Sequence, residues 1–111
     1  MNARRAFIKY NYMIERHWKG VARKELAHRY EEHLRTETFV QLPVIAGFAG
    51  ARILRREVEA GTEFLIITVW DSLEPIRQFA GEDIESAVVP AVVRDMMVSY
   101  DARVRHYELV Q

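Results

Sequence analysis

The chain has 111 residues, half of them hydrophobic, with 16 Lys and Arg against 16 Asp and Glu. That length supports one domain around one modest core, and the balanced charge gives no electrostatic reason to expect nucleic acid or an anionic membrane as partner. The absence of cysteine excludes disulfides, thiolate nucleophiles and cysteine-ligated metals. The basic start MNARRAFIK is not followed by the apolar run of a secretory signal, and no segment reaches the roughly 20 apolar residues a membrane span needs. A cytoplasmic protein is the expectation.

In chain order, YNYMIERHWK (Tyr10–Lys19) carries aromatics, Met13 and Ile14, and reads as a strand over about 12–18. From Val21 the period changes: Ala22, Leu26, Tyr30 and Leu34 recur every four residues with Ala27 beside them, one apolar stripe of a helix. Its other face holds Glu25–Arg29 and Glu31–Arg35 at helical spacing in the favourable order. The helix fades near Thr38–Gln41 before Pro43, and AGFAG (Ala46–Gly50) reads as a turn.

ARILRREVE (Ala51–Glu59) and EFLIITVW (Glu63–Trp70) are rich in β-branched and aromatic residues and read as an antiparallel hairpin. The second of these strands is apolar on both parities. Phe64, Ile66 and Trp70 stand on one, Leu65, Ile67 and Val69 on the other. Such a strand is covered on both faces. One helical layer covers one face, so a second copy of the chain, packed on the sheet, is expected to cover the other.

A short helix follows over about 72–80, with Leu73, Ile76, Phe79 and Ala80 on one side. Ile84, Val88, Val92, Met96 and Tyr100 then suggest a further helical stretch over 84–100, broken at Pro90. RVRHYELV (Arg103–Val110) alternates and reads as the last strand, with Val104, His106, Glu108 and Val110 on one side. The order β-α-β-β-α-(α)-β is the split-βαβ, ferredoxin-like plan of an α+β domain with a four-stranded antiparallel sheet. The acids crowded around the short helix have helix-terminal readings. Asp71 and Glu74 have the spacing of a capping box, Gly81 suits the turn after the helix, and Asp83 with Glu85 suits the start of the next.

GFAGARILRR (Gly47–Arg56), EFLIITVWDSLEPIRQFAGEDIESAVVP (Glu63–Pro90) and HYELV (His106–Val110) resemble the antibiotic biosynthesis monooxygenase-like family. The similarity spans roughly residues 13–110, leaving 1–12 as an N-terminal extension to a single domain over 13–111. The resemblance implies a homodimeric α/β barrel built of ferredoxin-like subunits. It also implies oxidation of a small electron-rich aromatic, quinol- or anthrone-like, by O2 without metal or flavin. The substrate then supplies the electrons, and the protein deprotonates it and holds it in a dry aromatic pocket. Some relatives degrade haem. These carry an axial His where this chain has Val89, and an Asn on the first strand for which Asn11 is the nearby candidate. Without that histidine there is no evident iron ligand, so no cofactor and no metal are expected. The alternative, from a different class, is a non-catalytic dimeric module that binds a small molecule or serves a stress response.

Four histidines are available for acid–base work, and no two have a metal-binding spacing. His28 lies beside the charged side of its helix and His33 near the stripe. His17 and His106 lie on the first and last strands, neighbours in this topology, and are the candidate proton acceptors. Tyr30 and Tyr107 are candidates to orient a phenolic substrate, and Trp70 and Phe79 to wall a flat ring. Trp18 is either a pocket wall or a dimer contact. Arg52, Arg55 and Arg56 read as a solvated strand face, without the interleaved aromatics of a single-strand nucleic-acid platform.

Overall fold

The structure, a computed structural model, describes residues 12–111. The extension expected at 1–12, and with it Asn11, lies outside the described residues except for Tyr12. Strand β1 spans Met13–Ala22. A 3₁₀ turn at Lys24–Leu26 leads into helix α1 (Ala27–His33), which widens into a π-helix over Leu34–Thr38 and continues as α2 (Phe39–Gln41). Strands β2 (Phe48–Val58) and β3 (Gly61–Trp70) follow, then α3 (Leu73–Ala80), α4 (Ala91–Arg94), β4 (Met97–Tyr100) and β5 (Arg105–Leu109).

The sheet is antiparallel in the order β2-β3-β1-β4, and β5 also pairs with β1. This is the ferredoxin-like arrangement expected from the sequence, with its fourth position shared by two short strands. β4 lies against Gly20–Ala22 and β5 against Met13–His17. Between them, residues 102–104 leave β1 to pair instead with 85–87: Ala87 N–H donates to the Ala102 carbonyl (2.9 Å) and Val104 N–H to that of Glu85 (2.8 Å).

Three local readings change. Gly20 does not end β1. It is paired to Phe64 on one side and Tyr100 on the other, so Val21 and Ala22 belong to the strand and not to the helix. The turn expected over 46–50 shrinks, because Phe48–Gly50 already pair with the end of β3. Gly47 makes the turn at φ 104°, where a side chain would run into Pro75. The helix expected over 84–100 is mostly absent. Pro90 stands at the start of α4 with ψ 157°, four helical residues follow, and Met97–Tyr100 are drawn into the open edge of β1. The four-residue spacing of Ile84, Val88, Val92 and Met96 is a coincidence, and its β-branched members Ile84, Val88 and Val92 suit extended backbone as well.

Two groups of buried side chains meet on the helix-covered face. One gathers Tyr30, Leu34, Phe64, Ile66, Met96 and Met97. The other gathers Ile14, Leu42, Trp70 and Ile76. Trp70, Phe64 and Ile76 are fully buried. The face is set by parity: the even residues of β1 and β3 point at the helices, and register pairs Ile14 with Trp70, Arg16 with Thr68 and Trp18 with Ile66.

The acids play partly different parts from those expected. Ser72 stands at the start of α3, and its hydroxyl donates to Asp71 Oδ1 (2.8 Å). Glu74 pairs with Arg77 (3.0 Å) rather than closing a capping box. Gly81 does end the helix, at φ 93°. Asp83 starts no helix. With Glu85 it holds Arg103, whose guanidinium donates to both Asp83 oxygens at 2.7 and 3.1 Å.

Candidate functional site

Between the sheet and its helical cover lies a cavity of about 80 Å³, room for several waters. Trp18, Tyr30 and Phe79 supply aromatic walls, Val89 and Val93 aliphatic ones, and Arg16 a charge. Leu34 and Thr38 open and close the π-helix, and both line the cavity. The wide i→i+5 turn brings residues four apart nearly into line, and such turns recur at functional sites.

Trp18 reaches the wall because Gly20 leaves it room. A Cβ on Gly20 would stand 2.5 Å from the indole ring. The indole N–H donates to the Asp101 carbonyl (2.8 Å), so the excursion between β4 and β5 anchors this wall. Tyr30 packs edge-on against Phe64 (4.9 Å), and burial pushes its phenol above the usual range, so it stays protonated. Trp70 stands behind Phe79 and not in the wall. The two rings stack at 5.8 Å, and the Trp70 indole N–H donates to the Thr68 hydroxyl (2.9 Å).

Arg16 is only 4% exposed. Its Nη1 donates to the Ile84 carbonyl and to Nε2 of His106 (3.0 Å), and its Nη2 to the Ser86 carbonyl (2.8 Å). The Phe79 ring lies 5.6 Å from the guanidinium carbon. Burial lowers its pKa to about 10, so it remains charged at neutral pH. His106 sits opposite Arg16 in the β1–β5 register. Accepting from Arg16 fixes its ring as neutral, with the proton on Nδ1. Its pKa is lowered from the ordinary value by burial first and the Arg16 charge second, against a smaller pull from Glu85.

His17 lies on the other face of the sheet. Its Nε2 is 2.9 Å from Glu15, which also accepts from Arg52 (3.0 Å), and its ring stands 4.9 Å from that of Tyr107. His17 and Tyr107 border an open polar groove of about 250 Å³ together with Lys19, Arg103 and Arg105. The six sequence candidates are thus divided: Tyr30 and Phe79 line the inner cavity, Trp70 and His106 stand one layer behind it, and His17 and Tyr107 face away. The charged group in the cavity, Arg16, was not singled out from the sequence. Its signal was there: among Ile14, Arg16, Trp18, Gly20 and Ala22 it is the one charge on an otherwise apolar parity.

The fold is that of a ferredoxin-like α+β domain, and a solved structure shares it. A crystal structure from Bacillus cereus, described as a putative antibiotic biosynthesis monooxygenase, superposes with a TM-score of 0.62 over 90% of this chain and 95% of that one, at 16% sequence identity. No family model matches the sequence, and no curated protein does.

Proposed function

We propose that the inner cavity binds a small electron-rich aromatic and that the protein oxidises it with O2, the ligand supplying the electrons. The observation that carries this reading is the cavity itself, walled by Trp18, Tyr30 and Phe79 and set against the apolar core. The reaction balances without a reductant: an anthrone-type CH2 and O2 give a ketone and one water. Trp70 backs Phe79, and Tyr30 offers a protonated hydroxyl to a substrate oxygen. Of the two candidate bases, His106 shares the cavity's face and is assigned the proton. Its Nε2 accepts the proton once the Nη1 N–H of Arg16 turns away from it. His17 and Tyr107, on the opposite face, belong in this reading to the surface that packs on a second copy.

That surface supports a homodimer. The outer face carries Leu54 and Tyr107, 45% and 51% exposed, beside Leu65 and Val69. A second copy there would bury the apolar side of β3 that the helices leave uncovered. A cytoplasmic setting belongs to the same proposal; among the described residues no helix is long and apolar enough to cross a membrane.

O2 uptake with a panel of quinols and anthrones tests the oxidation. General acid–base catalysis contributes on the order of a hundredfold or more, so His106→Ala should lose about that factor while His17→Ala retains turnover. Absence of uptake with every panel member removes the oxygenase reading. One observation favours the non-catalytic binding module instead: among the described residues, the titratable side chains in the cavity wall are Arg16 and Tyr30 alone. Ligand binding without O2 uptake would select it.

A further inference from the structure

The charge of Arg16 is buried without a counter-charge. Its three hydrogen-bond partners, the Ile84 and Ser86 carbonyls and Nε2 of His106, are all neutral. No ion pair among the described residues includes it; Glu85, the acid that acts on its partner His106, is held by Arg103 at 3.3 Å. A buried, uncompensated guanidinium is costly, and proteins rarely keep one without an anion to meet it.

The donors are also incompletely used. Guanidinium has five N–H groups in a planar fork, and three are engaged. The Nε–H and the second N–H on Nη2 remain. No buried side-chain nitrogen is left without a partner among the described residues, so the unpaired Nε is not fully shielded, and Arg16 lines the cavity. An edge of two donors suits an oxygen anion, and the rings of Phe79 and Trp18 beside it suit a flat body.

We propose that Arg16 is the specificity-determining group of this cavity, and that the cavity takes its aromatic ligand as an oxygen anion, a phenolate or an aryl carboxylate, seated on the Nε/Nη2 edge. His106 is then a positioning residue for the guanidinium before any proton moves. This inference rests on the cavity being the ligand site, but not on any reaction with O2.

The test is the ionisation of bound 4-nitrophenol, whose phenolate absorbs in the visible and which needs no turnover to report. A cavity that prefers the anion tenfold lowers the pH of ionisation of the bound probe by about one unit relative to the free one. An apolar cavity alone raises it. The wild-type protein is expected to show the lowering, and Arg16→Met to reverse its sign. A raised or unchanged value in the wild type, or no saturable binding, overturns the proposal even where Arg16→Met fails to fold. Displacement of the probe by 2-naphthoate, at least tenfold better than by 2-naphthamide, assigns the anion as carboxylate. Comparable weakness of both keeps it as phenolate. A protein that lowers the probe's ionisation yet consumes no O2 keeps this inference and loses the oxygenase reading. O2 uptake with no anion preference does the converse.

Discussion

Arg16 and His106 face each other across the β1–β5 register, with guanidinium Nη1 3.0 Å from imidazole Nε2. The pair is held in an environment where a second positive charge is unwelcome, and this has a direct consequence for stability against pH. The native pKa of His106 lies below its ordinary 6.5, by burial first and Arg16 second. Below pH 6.5 the unfolded chain takes up a proton that the native protein resists. The stability this group contributes is therefore fully present above pH 6.5 and is lost as the pH falls from there through the native pKa. Urea titrations between pH 7.5 and 5 should show the wild type losing stability faster than His106→Gln. Parallel curves would show that the contact with Arg16 has no electrostatic weight.

Trp70 has a fully buried ring, stacked on Phe79 and hydrogen-bonded to Thr68. Trp70→Ala should lose roughly 3 to 5 kcal/mol, the range for deleting a large core aromatic. Chemical denaturation measures this. Because Phe79 would lose its backing, ligand affinity in the folded fraction should fall as well.

Gly20 is required by the Trp18 ring and not by its own backbone, since its φ is not in the left-handed region. Gly20→Ala should gain up to about 1 kcal/mol from the stiffer unfolded chain. It should lose roughly 1 to 3 kcal/mol by displacing the indole. The net effect expected is destabilisation, with a change in tryptophan fluorescence as the ring leaves the Asp101 carbonyl. A stabilised variant with unchanged fluorescence would show that the wall accommodates the methyl.

Leu65 lies on the outer face of β3, directly opposite Leu54. If a second copy covers this face, light scattering should give a dimer for the wild type and a monomer for Leu65→Glu. Nitrophenol binding should survive in that variant, because the inner cavity lies on the other side of the sheet. A monomeric wild type would remove the argument drawn from the doubly apolar strand.

Asp83 and Glu85 answer to Arg103 and not to the cavity. Asp83→Asn should leave ligand affinity and any turnover unchanged, which isothermal titration and O2 uptake would both report. A loss of binding would return the acidic segment to the site.

The fold was legible because its evidence is local. Periods of two and of four residues mark β1, α1, the β2–β3 hairpin and β5, and the double apolar parity of Phe64–Trp70 marks the central strand. The stretch over 84–100 has a helical spacing in sequence because β-branched residues four apart satisfy two conformations. The vacant edge of β1, a contact far away in sequence, chose the extended one at 97–100.

The site was legible only in part, for the same reason. Parity determines from the sequence alone that Arg16 and His17 point to opposite sides of β1. It does not say which side the helices cover, nor that β5 enters with His106 opposite Arg16. Those facts depend on partners 68 to 90 residues away, at Ile84, Ser86 and His106. The sequence by itself determined the strands, the helical stripe and the chemistry available. Only the tertiary structure decided that a lone arginine would be buried among neutral acceptors, because burial and charge compensation belong to the packed chain and not to any stretch of it.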